Sequence, residues 1–340
     1  MTDEIDLFIT KSDYLKRKQI VGIDKLQGDA SSREFFRIKL FDNKSIILMK
    51  FAEGTGPLHL GEIISQTASF LEIAPYLLKN KINVPKIIED NHANNFSILE
   101  DLGDDKLSNH LDDVNFNKFF YKALNLLKRI QELEDDKSII IFKRKVNYQN
   151  LLDESLRFIK FFTPNTQINT DEALIIEKNL EKIALQVSTQ KQVPTFRDYI
   201  AWNIMIRNDE LFLVDFQDIA IGAYTYDLVS LLHDRDTDLI LGDNILNNLI
   251  GHFYLKSNTF KEDYYYTLLQ RHFRLAGQFL NLTKITGKEI YSTYVPNTLI
   301  RIGRALGALG NEFKELVDIL SLKIPEIKEG VKKPYEFDFK

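Results

Sequence analysis

The sequence predicts an α+β fold in which a small β-rich lobe comes first and a larger, mostly helical lobe follows. Residues 20–51, "IVGIDKLQGDASSREFFRIKLFDNKSIILMKF", break β-branched and aromatic runs at "GDASS" and at Asp42-Asn43, the pattern of three strands. "VPKIIEDN" and "NNFSILEDLGDD" read as two more strands around an Asn-rich turn. From Leu107 onward the apolar residues fall mostly at helical spacing, most clearly in "FNKFFYKALNLLKRIQEL". The lobes are expected at residues 1–100 and 107–340, with 101–106 as the hinge between them.

The remaining elements follow in order. Residues 4–19 read as a first helix. A second runs from about Gly61 to Lys79, with Ile64, Thr67, Ala68, Leu71 and Leu78 on one face and Pro75 placed to kink it. One stretch of the helical lobe departs from its surroundings. "IMIR" and "LFLV" match in length and are joined by "NDE", which predicts a short hairpin at 204–214.

Composition excludes several functions. The 340 residues are long enough to bury a substantial core, and a net charge of −5 gives no general affinity for nucleic acid or an anionic membrane. With no cysteine there is no disulfide framework, thiolate metal site or Cys nucleophile. The six histidines show no metal spacing, and no G-x-S-x-G, H-E-x-x-H or dinucleotide G-x-G-x-x-G occurs. Acidic residues near the N-terminus and the lack of a long apolar run lead to a cytoplasmic expectation, with no membrane partner.

A hairpin at 204–214 would bring the residues flanking it, Asn203 and Asp215, to one end, and Asp198 lies five residues before Asn203. Such an oxygen-rich group suits a hard cation like Mg²⁺ together with phosphate oxygens. Asp and Asn are also ordinary turn and cap residues, so the spacing alone leaves a structural role open. The surrounding residues narrow the choice. "FRDYIAWN", "LVDFQD" and "YTYDLVSLLHD" resemble the catalytic loop, metal loop and following helix of aminoglycoside-phosphotransferase-like kinases, distant relatives of protein kinases. Within that superfamily the chain is most similar to the bacterial cell-wall kinases that phosphorylate the anomeric hydroxyl of N-acetylmuramate and N-acetylglucosamine. "GDASSREFFRI" and "ILEDLGDD" also look like that group, so the similarity covers about residues 25–235.

The resemblance implies a bilobal protein-kinase-like fold and an ATP- and Mg²⁺-dependent phosphotransferase acting on a small-molecule acceptor, a sugar. The first lobe would bind nucleotide and the second would hold the catalytic loop and acceptor. At matching positions Asp198 would be the catalytic base, and Asn203 and Asp215 the metal ligands. Arg197, Trp202 and Asp218 are candidates for acceptor contact or loop support, and Asp227 resembles a position that buttresses the catalytic loop. In the first lobe Gly28, Ser31 and Ser32 could present donors to phosphate. Lys50 stands where a lysine would reach the α and β phosphates, and Glu72 could pair with it, with Glu62 as the alternative. Glu100 and Leu102 would meet a purine through main-chain atoms.

Two positions depart from the pattern. Phe196 and Ile200 stand where the family has histidines, which leaves the Asp and Asn in place but removes a loop-supporting hydrogen bond. Three competing readings remain: a kinase of another hydroxyl acceptor of the choline, homoserine or aminoglycoside type, a nucleotide-binding pseudokinase or scaffold, and a protein kinase. The last is disfavoured because no A-P-E element follows "VDFQD".

Overall fold

The computed structural model describes residues 2–26, 33–51, 66–91, 94–111, 116–253 and 258–338. Gly28, Ser31, Ser32 and Glu62 lie outside them. The strands are β1 Ile20–Leu26, β2 Glu34–Leu40, β3 Ser45–Lys50, β4 Ile87–Asn91, β5 Phe96–Glu100, β6 Gln192–Thr195, β7 Ile204–Arg207, β8 Glu210–Leu213 and β9 Ala220–Ala223. The chain divides into two compact units, residues 1–106 with 204–218, and residues 107–203 with 219–340.

The first unit is built on a five-stranded antiparallel sheet of order β1-β2-β3-β5-β4. Alternate residues of its strands, Phe36, Ile38, Ile46, Leu48, Phe96 and Ile98, share one buried face, against which Ile5 and Phe8 of helix α1, Thr2–Lys11, pack. β3 is also buried at Ile47 and Met49, so both faces of the sheet are covered there. Helix α2, Gln66–Lys79, keeps Pro75 inside its span.

The first helix is shorter than the sequence suggests. It stops at Lys11, and only a 3₁₀ turn at Leu15–Arg17 follows. Glu89 of β4 explains the stop: its carboxylate accepts the Ser12 hydroxyl and the main-chain N–H groups of Asp13 and Tyr14. The two main-chain N–H groups would otherwise have continued the helix.

The hairpin β7–β8 forms as expected, but with a two-residue turn, because Glu210 already pairs with Arg207. Asn208 and Asp209 have φ of 50° and 66°, the left-handed backbone of a type I′ turn. The hairpin is tied to the first unit. Leu213 N–H donates to Asn83 O at 2.8 Å, Ile206 N–H donates to Asp105 O at 2.8 Å, and Arg207 pairs with Glu100 at 2.8 Å.

Segment 101–106 has no regular structure yet is firmly held. Arg37 of β2 forks onto both Asp101 and Asp104, Ser45 donates to Asp101 at 2.6 Å, and Gly103 at φ 82° turns its N–H back to Asp101. Burial alone would raise the Asp101 carboxyl, but the Arg37 and Ser45 hydrogen bonds outweigh it and hold it below its ordinary range.

The second unit is mostly helical. It contains α3 Phe116–Gln131, α4 Ile140–Lys143, α5 Tyr148–Ser155, α6 Thr170–Thr189, α7 Tyr226–Leu232, α8 Thr237–Leu241, α9 Asp243–Phe253, α10 Phe260–Thr286, α11 Ile290–Thr293, α12 Val295–Leu309, α13 Lys314–Lys323 and α14 Pro325–Lys332. Asn147 and Asn169 start α5 and α6 through capping boxes. The sequence reading missed the two-stranded ribbon of β6 and β9, which pair from Gln192↔Ala223 to Thr195↔Ala220. No helix among the described residues is long and apolar enough to cross a membrane.

Candidate active site

The ribbon positions the loop that carries Asp198. β6 ends at Thr195, whose hydroxyl donates to Ala220 O at 2.9 Å, and the chain then turns sharply through Phe196, Arg197 and Asp198. Arg197 has φ 73°, a left-handed conformation costly for a residue with a Cβ. Two acids hold it there. Asp227, in the first turn of α7, accepts the main-chain N–H groups of Phe196 at 2.5 Å and Arg197 at 2.8 Å, while Glu154 of α5 pairs with the Arg197 guanidinium.

Both acids are buried, and their proton affinities move in opposite directions. Burial pushes the Asp227 pKa up to about 7, with the two N–H groups and the Arg271 charge limiting the rise. Burial also acts to raise Glu154, but the charges of Arg197, Arg274 and Arg157 overcome it and hold the pKa at about 2. For Arg197, burial works against its charge, and Glu154 outweighs it.

Phe196 is 1% exposed and meets the Tyr199 ring edge-on at 5.7 Å, and Ile200 is buried as well. Tyr199 in turn donates its hydroxyl to Ala123 O at 2.7 Å. Phe196 and Ile200, the two departures from the expected pattern, are thus held by packing, while Asp227 supplies polar support directly to the main chain.

Asp198 is presented on this loop with its side chain 48% exposed, and Arg274 Nη2 of α10 lies 3.8 Å from its Oδ1. Asn203 Nδ2 donates to Asp198 O at 3.0 Å. That bond orients the carboxamide, turning its Oδ1, the atom a hard cation would use, away from the Asp198 main chain. Trp202 is half-buried, and the Arg235 guanidinium lies 4.6 Å from its ring centroid.

Asp215 belongs to the first unit. It is exposed, has φ 64°, and its Oδ1 accepts from Arg33 at 2.9 Å and from Gln217 at 3.0 Å. Gln217 also donates to Asp218 at 3.1 Å. Asp215 therefore shares with Arg197 a strained backbone fixed by neighbours, which is common at functional positions. Among the described residues no three His, Cys, Asp or Glu side chains gather as a metal cluster. Taken singly, the Asp215 carboxylate and the Asn203 carboxamide each offer the hard oxygen donor that Mg²⁺ takes.

Of the other candidates, Lys50 pairs with Glu34 at 3.3 Å, and Glu72 is half-buried on α2. Glu100 accepts from Arg207 and from Lys86 N–H, and its own N–H donates to Lys86 O at 2.9 Å. Leu102 is buried. Sequence reasoning did not single out Glu154, Arg274 or Arg33, because each is an ordinary charged residue far along the chain from the residue it contacts.

The sequence model of the phosphotransferase enzyme family matches residues 23–252. An N-acetylmuramate/N-acetylglucosamine kinase of Neisseria meningitidis serogroup B is 23% identical over 318 residues, 86% of this chain and 89% of that one. The choline kinase LicA of Streptococcus pneumoniae has the same fold, with a TM-score of 0.62 at 14% identity over 92% of this chain and 99% of that one. Aminoglycoside 2'-phosphotransferase-IIIa, solved as its GDP complex, gives 0.60 at 13% identity over 88% and 98%. The fold is the protein-kinase-like one that the sequence leads one to expect.

Proposed function

The chain belongs to the phosphotransferase enzyme family, and from that membership we propose that it transfers the γ-phosphoryl group of ATP to the anomeric hydroxyl of an amino sugar. The acceptor would be of the N-acetylmuramate or N-acetylglucosamine type, and the setting cytoplasmic recycling of cell-wall sugars. The sugar assignment is supported by the Neisseria relative named for those substrates.

The reaction needs a base beside the acceptor. Asp198 accepts or orients the hydroxyl proton as the acceptor oxygen forms its bond to the γ-phosphorus, and the bond to the β-phosphate oxygen breaks to release ADP. The observation that carries this role is the half-exposed Asp198 carboxylate on a loop whose two preceding N–H groups are fixed by one buried acid. Fixing the loop in advance removes reorganisation from the chemical step. Mg²⁺, held by Asn203 and Asp215, would offset charge on the phosphates when bound. Arg197 stiffens the loop through Glu154, and Trp202 on the same loop and Asp218 just past Asp215 are candidate acceptor contacts. In the first unit Gly28, Ser31, Ser32, Lys50 and Glu72 are proposed for the phosphates, and the Glu100 and Leu102 main chain for the base.

A pseudokinase reading would rest on Phe196 and Ile200. The filled packing around both residues removes its main support, since the loop is held without the histidines. The test is ATP consumption with N-acetylmuramate, N-acetylglucosamine, choline, homoserine and an aminoglycoside. Turnover confined to the amino sugars is expected. Turnover with choline or an aminoglycoside alone would overturn the acceptor assignment, and turnover with none would overturn the enzyme reading for these acceptor classes.

A further inference from the structure

Beside the Asp198 loop, three guanidinium groups, those of Arg157, Arg197 and Arg274, act on one buried carboxylate, Glu154. Arg197 takes Glu154 as its direct partner, and Arg157 Nη1 donates to the neutral Gln278 Oε1 at 2.8 Å. Arg274 reaches only to 3.8 Å from Asp198, beyond hydrogen-bond range. Three cations thus face two carboxylates, and one of these, Asp198, is the group that must engage the acceptor hydroxyl. Glu154 Oε2, Tyr226 Oη and Arg274 Nε are also buried without a hydrogen-bond partner. Native proteins leave few such atoms in one place unless the site serves a ligand or water.

The crowding of like charge is built into the backbone. α10 passes the π-helical turn Phe158–Phe162 so closely that a Cβ at Gly277 would stand 2.1 Å from Arg157 O. This contact sets Arg157 and Arg274 near each other, and burial together with the Arg274 charge makes Arg157 harder to keep protonated. Cations held this way without matching acids are stabilised by an incoming anion, and a guanidinium fork fits a carboxylate best.

We propose that Arg274, assisted by Arg157, forms an anion subsite that binds a carboxylate borne by the acceptor, next to the hydroxyl that Asp198 activates. The inference rests on the acceptor reading above and sharpens it: an acidic amino sugar is preferred over its neutral counterpart. When the acceptor's carboxylate occupies Arg274, Asp198 keeps its own carboxylate for the hydroxyl.

N-acetylmuramate and N-acetylglucosamine differ by one lactyl ether, the group that carries the carboxylate, and the Arg274 variants separate its charge from its bulk. Calorimetric titration of each into the protein without nucleotide should show the acidic sugar binding about 10- to 100-fold more tightly, the range of a charged hydrogen-bonded pair. Arg274→Gln should bring the two within about threefold of each other, chiefly by weakening the acidic sugar. Arg274→Lys keeps the charge and loses the fork; it should retain part of the preference, and it carries the test should the Gln variant not fold. Equal binding of both sugars by the parent protein, binding of neither, or an unchanged preference in the variants would overturn the subsite. Turnover is read separately. Selective binding without phosphoryl transfer would sink the proposed reaction and keep the subsite, whereas equal binding and transfer to both sugars would do the reverse.

Discussion

Asp227 accepts the main-chain N–H of Arg197 at 2.8 Å across 30 residues of chain, and the same carboxylate takes the Phe196 N–H. A left-handed Arg197 costs roughly 1–3 kcal/mol, and this acceptor is part of what holds it. Asp227→Asn keeps one acceptor oxygen but turns an amide donor toward a main-chain donor. We expect kcat to fall about 10-fold or more with a smaller change in KM, and stability to fall by roughly 1–3 kcal/mol. Steady-state kinetics and urea unfolding check this, and a variant with unchanged kcat would remove Asp227 from the support of the loop.

The raised Asp227 pKa predicts opposite trends for activity and stability. Between the ordinary carboxylate range and about 7, the folded chain holds a proton that the unfolded chain has lost. This group's contribution to stability therefore falls as pH rises through that window and is level above it. Activity should rise through the same window, as the ionised carboxylate regains both N–H bonds. Melting temperature and kcat followed from pH 5 to 8 read the two trends, and Asp227→Asn should flatten the part of each that comes from this acid.

Arg197→Met leaves Glu154 buried without its direct partner. Removing one member of a buried pair costs about 3–5 kcal/mol, and adding Glu154→Gln should return much of that loss. Chemical denaturation of the single and double variants measures it. If the single variant is as stable as the parent, the pair does not hold the loop.

Gly277→Ala tests the close approach of α10 to Arg157. Its Cβ would meet the Arg157 carbonyl oxygen and carbon at 2.1 and 2.3 Å, both main-chain atoms that a rotamer change cannot move. Overpacking of this kind costs about 1–3 kcal/mol or more. Thermal melting should drop by several degrees, and the preference for an acidic acceptor should weaken as Arg274 shifts.

Much of the fold was legible because it rests on local pattern. β2, β3, β5 and the hairpin are β-branched or aromatic runs bounded by turn residues, and α3 has a period of 3.6, signals visible without tertiary information. β6 and β9 were not visible. "QVPT" and "AIGA" are four residues long, rich in small residues or Pro, and become strands through each other and through segment 144–146, where Ile221 N–H donates to Arg144 O and Val146 N–H to Ile221 O. The first helix was read too long because the acid that ends it, Glu89, lies 77 residues from Ser12. The site divides the same way. Asp198, Asn203 and Asp215 fall in one short stretch, whereas Glu154 lies 43 residues from Arg197 and Arg33 lies 182 residues from Asp215. Such charged residues carry no local sign of the partner they will meet.

Phosphorus NMR of the product formed from ATP and N-acetylmuramate, with the parent protein and with Asp198→Asn, tests the central claim most directly. The account predicts a sugar 1-phosphate from the parent, and from the variant a rate lower by about 10²–10⁴-fold with the fold intact. A phosphate on a primary hydroxyl would contradict the anomeric assignment, and an Asp198→Asn variant as fast as the parent would contradict the role given to that residue.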